Sequence, residues 1–155
     1  MKLRGELMLD DNISGLKKEI ESALTALNID ERRVDNAEFM LNAIKHKFVA
    51  GDPRAWWLSL KNKIEARFFE DNAGYKCIPE IAHTRFQCSY DKDVFLVVDM
   101  DNEVSQLYCI PVKVLTSLIE ACRYFEYYVV AKDLSWLICE NDHGEIITCK
   151  APNHL

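Results

Sequence analysis

Glycine is scarce in this chain and never clustered: five residues, at positions 5, 15, 51, 74 and 144. Neither GxGxxG nor GxxxxGKS/T can be drawn through them, which excludes the usual backbone cradles for dinucleotides and nucleoside triphosphates. There is no GxSxG elbow for a serine nucleophile. There is also no HExxH and no CxxC, and the four histidines, at 46, 83, 143 and 154, are scattered. Zinc sites of ordinary spacing are thereby excluded, and no cofactor is expected. Long apolar runs are missing too. The longest, Phe95–Val98 and Tyr127–Ala131, fall far short of the ~20 residues that span a bilayer. Glu6 and Asp10-Asp11 break the stretch in which a secretory signal would sit, so the expected location is the cytoplasm, with no membrane partner. Positive charge is in deficit, with 19 Lys and Arg against 25 Asp and Glu and a net charge of -6. Nucleic-acid binding is driven largely by Lys and Arg displacing counterions, so nucleic acid is not an expected partner, whereas a basic protein is.

What is present is ordinary globular composition: 155 residues, 49% hydrophobic and 28% charged. A chain of this size forms one domain with a core sufficient to fold without staples. The expected domain is 1–155, helical over 1–72 and a sheet over 85–149. Six cysteines, at 77, 88, 109, 122, 139 and 149, lie mostly in apolar contexts. They read as small buried hydrophobes rather than as a disulfide framework.

Hydrophobic periodicity sets the elements. Ile13, Leu16, Ile20, Leu24 and Leu27 recur at spacings of three and four behind the caps Asp10-Asp11-Asn12, which predicts a helix ending near Asn28. A second helix is expected over 34–49, stopped by Gly51. Asp52-Pro53 reads as a helix start, and Trp56, Trp57, Leu60, Ile64, Phe68 and Phe69 predict a third helix to about Glu70. Residues 75–90, with Pro79 among mixed polarity, read as loop, with the sheet opening between Arg85 and Tyr90. The second half is strand-like: a hairpin from 93–100 and 103–110, a helix after Pro111, and a meander over 124–131, 135–140 and 145–149 with turns at Lys132–Leu134 and Asn141–Gly144. The fold class is therefore α+β: an antiparallel sheet of about five to six strands, one crossover helix and about three N-terminal helices. The near-continuous apolar strands 94–98 and 127–131 place them centrally, covered on both faces.

Few residues invite chemistry. His143, inside Asn141-Asp142-His143-Gly144-Glu145, has carboxylates beside it as a general base or metal ligand would. The same residues are what a tight turn selects, because Asn, Asp and Gly tolerate left-handed backbone. Asp99, Asp101 and Glu103 alternate at a hairpin tip. Three carboxylates there suit a divalent cation, an acidic knob docking on a basic surface, or merely a solvated turn. Cys88 has Arg85 close by but no thiol-enzyme pattern. Trp56-Trp57, Trp136 and the tyrosines of 124–128 are aromatic enough for an interface anchor or a core. Neighbouring Trp56 and Trp57 point different ways, so one of them is expected to be exposed.

The C-terminal third carries a further pattern. Tyr124-Phe125-Glu126-Tyr127-Tyr128, followed by Trp136-Leu137-Ile138-Cys139-Glu140-Asn141-Asp142-His143, resembles a small uncharacterised bacterial family with a YFEYY…WLxCENxH ending. The resemblance covers roughly residues 85–149. The family ending has two histidines after the asparagine, where this chain has Asp142-His143, which weakens a metal reading. The resemblance implies a cytoplasmic immunity-type protein of a polymorphic toxin system. It brings no catalytic residues with it. The implied activity is non-enzymatic binding of a cognate, basic protein toxin that blocks the toxin's active site. The residues expected to meet that partner are Asp99, Asp101, Glu103, Trp136, Glu140, Asp142 and His143. The alternative is a small ligand-binding or enzymatic domain whose pocket joins His143 with Glu140 and a cysteine.

Overall fold

The structure, a computed structural model, describes residues 13–100 and 104–152. Six strands form one antiparallel sheet: β1 (Lys63–Phe68), β2 (Asp93–Val98), β3 (Gln106–Pro111), β4 (Tyr127–Val130), β5 (Trp136–Glu140) and β6 (Glu145–Lys150). Their spatial order is β1-β6-β5-β4-β2-β3. The helices are α1 (Ile13–Ala26), α2 (Glu38–Phe48), α3 (Ile78–Phe86) and α4 (Leu115–Ala121). The hairpin β2–β3 and the meander β4–β5–β6 are joined by α4, which carries the chain past β2 so that β4 pairs on its far side. The α+β class and the crossover expected from the sequence are what the structure has.

Strand alternation sorts the core into two layers. Val94, Leu96, Tyr108, Tyr127, Val129 and Ile138 face one side, where α1, α3 and α4 bring Leu16, Ile20, Leu24, Ile78, Leu118 and Ile119. Phe95, Val97, Leu107, Tyr128, Val130 and Cys139 face the other, covered by Leu41, Ile44 and Phe48 of α2 and by Leu60. Cover on both faces is why these strands tolerate no polar alternation. Arg123 holds α1 in place: its backbone N–H donates to Glu19 Oε1 at 3.0 Å and its Nε to Oε2 at 2.6 Å.

The third expected helix does not form. Residues Trp56–Ser59 make a single 3₁₀ turn, and Lys63–Phe68 is strand β1, paired with β6. Asn62 sits between them at φ 58°, a left-handed conformation that a continuing helix would not contain. Lys63-Ile64-Glu65-Ala66-Arg67-Phe68 in fact alternates polar and apolar, the strand period, beneath the aromatic spacing that suggested a helix. The third N-terminal helix is instead α3, inside the segment read as loop. Pro79 lies in its first turn, where a missing N–H costs nothing, and Gln87 closes it at φ 53°. No strand begins between 85 and 90: the sheet's first strand is β1, and the next, β2, starts at Asp93.

Candidate functional site

The residues of most interest gather at the end of the sheet where β2 and β5 finish and β4 begins. Asp99 follows β2 directly, and its N–H donates to Glu126 O at 2.9 Å, carrying the ladder one step beyond the strands. Alternation puts Asp99 on the face of Phe95 and Val97. Trp57, on the 3₁₀ turn, lies over the same face. Its backbone N–H donates to the Tyr128 hydroxyl at 3.1 Å and its indole Nε1 to Glu126 Oε2 at 3.1 Å. Trp56 packs its ring on Tyr128, centroids 5.1 Å apart. Burial pushes the Tyr128 phenol well up, and Cys139, Asp99 and Glu126 add to the effect, so it stays a neutral hydroxyl.

His143 closes the group. Its ring meets Trp57 edge-on, 5.4 Å between centroids at 87°. Asp142 Oδ1 lies 3.6 Å from His143 Nε2, and both side chains are exposed. The turn that presents them is built by Asn141, which is buried: its Oδ1 accepts the N–H groups of His143 and Glu145, each at 3.0 Å, and its Nδ2 donates to Glu145 Oε1 at 2.9 Å. Gly144 completes the turn at φ 80°. The turn chemistry weighed for this sequence is therefore fully used.

Glu126 thus holds a half-buried tryptophan by its indole N–H, with Asp99 next to Glu126 in the ladder and Asp142 beside His143. Of the residues proposed from sequence, Asp99, Asp142 and His143 lie at that end of the sheet. Asp101 and Glu103 lie outside the described residues. Trp136 and Glu140 do not belong to an exposed site. Trp136 is 4% exposed at the opposite end of β5, stacked on Phe86 at 5.1 Å. Glu140 is 2% exposed and accepts the Tyr127 hydroxyl at 2.8 Å on the other face of the sheet. A pocket joining Glu140 to His143 is consequently not assembled. Burial holds the Cys139 thiol well above its ordinary pKa, leaving it protonated. Among the described residues, no three His, Cys, Asp or Glu side chains are placed to hold a metal ion. A cavity of about 230 Å³ lies at the far end of the sheet, lined by Cys88, Lys92, Lys132, Asp133 and Trp136, with His143 outside its lining. Glu126 and Trp57 were missed as a pair. The available signal was a lone acid inside the aromatic run Tyr124–Tyr128, which a purely structural strand does not need.

A family model matches residues 12–154. The chain belongs to DUF6756, a family of unknown function. An uncharacterised family is what the C-terminal stretch implied, and the DUF6756 match takes in the helical half as well. No curated protein and no solved structure matches the chain. No described helix of this DUF6756 member is long and apolar enough to cross a membrane.

Proposed function

We propose that this protein is a non-enzymatic binding module that neutralises a basic bacterial toxin by covering the toxin's active site. The observation that supports the reading is Trp57 held by Glu126 and met by His143 at one end of the sheet, with Asp99 bonded through its backbone to Glu126 and Asp142 beside His143. A half-buried tryptophan fixed by an acceptor is a typical interface anchor, and acidic groups at the same end of the sheet steer a cationic partner. The chain's net charge of -6 acts in the same direction at longer range. Both faces of the central strands are already covered, so the Trp57 end of the sheet is where a partner finds polar groups and an aromatic together.

The test is calorimetric titration of the purified protein against the toxin encoded by the neighbouring gene. The expected result is a one-to-one complex that weakens as salt rises. Trp57→Ala should cost about 2 kcal/mol of binding, roughly thirtyfold in affinity. Asp142→Asn should mainly slow association and flatten the salt dependence. Absence of any complex overturns the reading. A complex indifferent to both substitutions moves the interface elsewhere and overturns the role given to this end of the sheet.

A further inference from the structure

The two edges of the sheet are treated differently. At the β3 edge, the chain's own residues 32–34 lie alongside as cover: Val34 N–H donates to Leu107 O at 2.8 Å, and Cys109 N–H to Arg32 O at 3.0 Å. At the β1 edge, five of the six strand residues are exposed, and among the described residues only β6 pairs with the strand. Exposed strand edges are templates for another strand unless blunted. Here the apolar side chains are also left out, with Ile64 42% and Phe68 66% exposed.

The edge is self-complementary. In an antiparallel ladder, successive residues turn their N–H and C=O alternately to the two sides. Phe69 N–H donates to Gly144 O, on the β6 side. Phe68 and Ala66 therefore turn theirs to the open side. Setting a second β1 antiparallel about Ala66 places Ala66 opposite Ala66, both with outward backbone groups. The same register places Ile64 opposite Phe68 and Glu65 opposite Arg67. Each apolar residue meets an apolar one, and each charge meets its opposite. Directly opposed side chains are the unit of sheet stabilisation, so this register satisfies backbone, apolar and charged groups together. In its own chain Glu65 already holds Arg85 at 3.2 Å and lies 3.8 Å from Arg67, so its carboxylate sits on the face that Arg67 of the second copy would share. The irregularity between Lys63 and Glu65 limits the pairing to residues 64–68.

We propose that two copies of this chain associate through β1, antiparallel about a two-fold axis at Ala66, into one continuous twelve-stranded sheet. The partner is a second copy because the register above uses nothing but this strand's own sequence. The interface is small, below the ~1,200 Å² of a standard complex, so the dimer is weak and its population depends on concentration. It makes no use of Trp57 and does not depend on the toxin reading.

Sedimentation equilibrium and cysteine trapping test it. The wild type should show a monomer–dimer equilibrium over concentrations up to roughly 500 µM, as a small interface requires. Ala66→Pro removes an N–H that faces outward, so it should abolish dimerisation without breaking the β1–β6 ladder. Arg67→Glu should weaken the dimer about tenfold through two like-charge pairs, and adding Glu65→Arg should restore it. Ala66→Cys should give a symmetric disulfide faster than the exposed control Ser117→Cys, because opposed Cα atoms of a hydrogen-bonded pair stand about 5.5 Å apart. A strictly monomeric wild type whose Ala66→Cys form crosslinks no faster than the control overturns the proposal. So does a dimer that survives both Ala66→Pro and Arg67→Glu unchanged.

Discussion

Thr148 stands in the middle of β6, 1% exposed, and among the described residues its hydroxyl has no hydrogen-bond partner in a layer of isoleucine and tryptophan. An unpaired buried hydroxyl carries a desolvation cost that a methyl group of the same shape does not. Thr148→Val should therefore stabilise the protein by about 1 kcal/mol, read as a raised urea midpoint with unchanged slope. A neutral or destabilising result would show that the hydroxyl has a partner, such as a water. Glu140 is the contrasting case. Equally buried, it accepts the Tyr127 hydroxyl, so its carboxyl group is tied into the core rather than offered to a partner. Position in the sequence gave no means of telling these two polar residues apart. Both sit in apolar strands, and only the neighbours across the sheet decide which is satisfied.

At the scale of elements, the β5–β6 turn and strand β1 meet. Gly144 adopts φ 80°, and a Cβ built on it would stand 2.9 Å from the Phe69 carbonyl oxygen. Gly144→Ala should cost about 1–3 kcal/mol, from positive φ and the backbone contact together, measured by chemical denaturation. It should also loosen the Phe69–Gly144 hydrogen bond that ends the β1–β6 ladder. An unchanged denaturation midpoint would mean that the turn relaxes freely. The meander itself was legible from sequence, since Asn141 and Gly144 are turn residues between two apolar runs. Strand β1 was not. Its pairing partner β6 lies about eighty residues along the chain, and the aromatic spacing at 56–69 fits helix as well as strand. α3 was missed for the opposite reason: Pro79 reads as a break unless it is known to fall in a first turn.

For the molecule as a whole, burial raises the acid groups of the core together. Burial pushes the Cys149 thiol up to about 11, with Lys63 acting against it, and likewise raises Cys88, Cys139, Tyr108 and Tyr128. A raised folded-state pKa means that the native chain keeps protons that the unfolded chain releases once pH passes the ordinary thiol value of 9.0. Unfolding then releases protons, so stability present below pH 9 should fall as pH rises from 9 toward 11. Urea midpoints at neutral pH and across that window check this, and a flat profile would contradict it. None of the six cysteines is in a disulfide, and at pH 8 the partly exposed Cys77 and Cys109 should react with a thiol reagent before the buried four.

The sequence by itself determined the α+β class, the antiparallel second half, the crossover helix and the acidic balance. These follow from periodicity, turn residues and charge count, which are properties of neighbouring residues. Tertiary structure alone decided that Trp57 reaches Glu126, that Trp136 goes to the core rather than the surface, and that Lys63–Phe68 leaves a helix pattern to become an edge strand. Those outcomes depend on hydrogen bonds and packing between segments far apart in the chain, where the energy of a distant ladder exceeds the small local preference for either conformation.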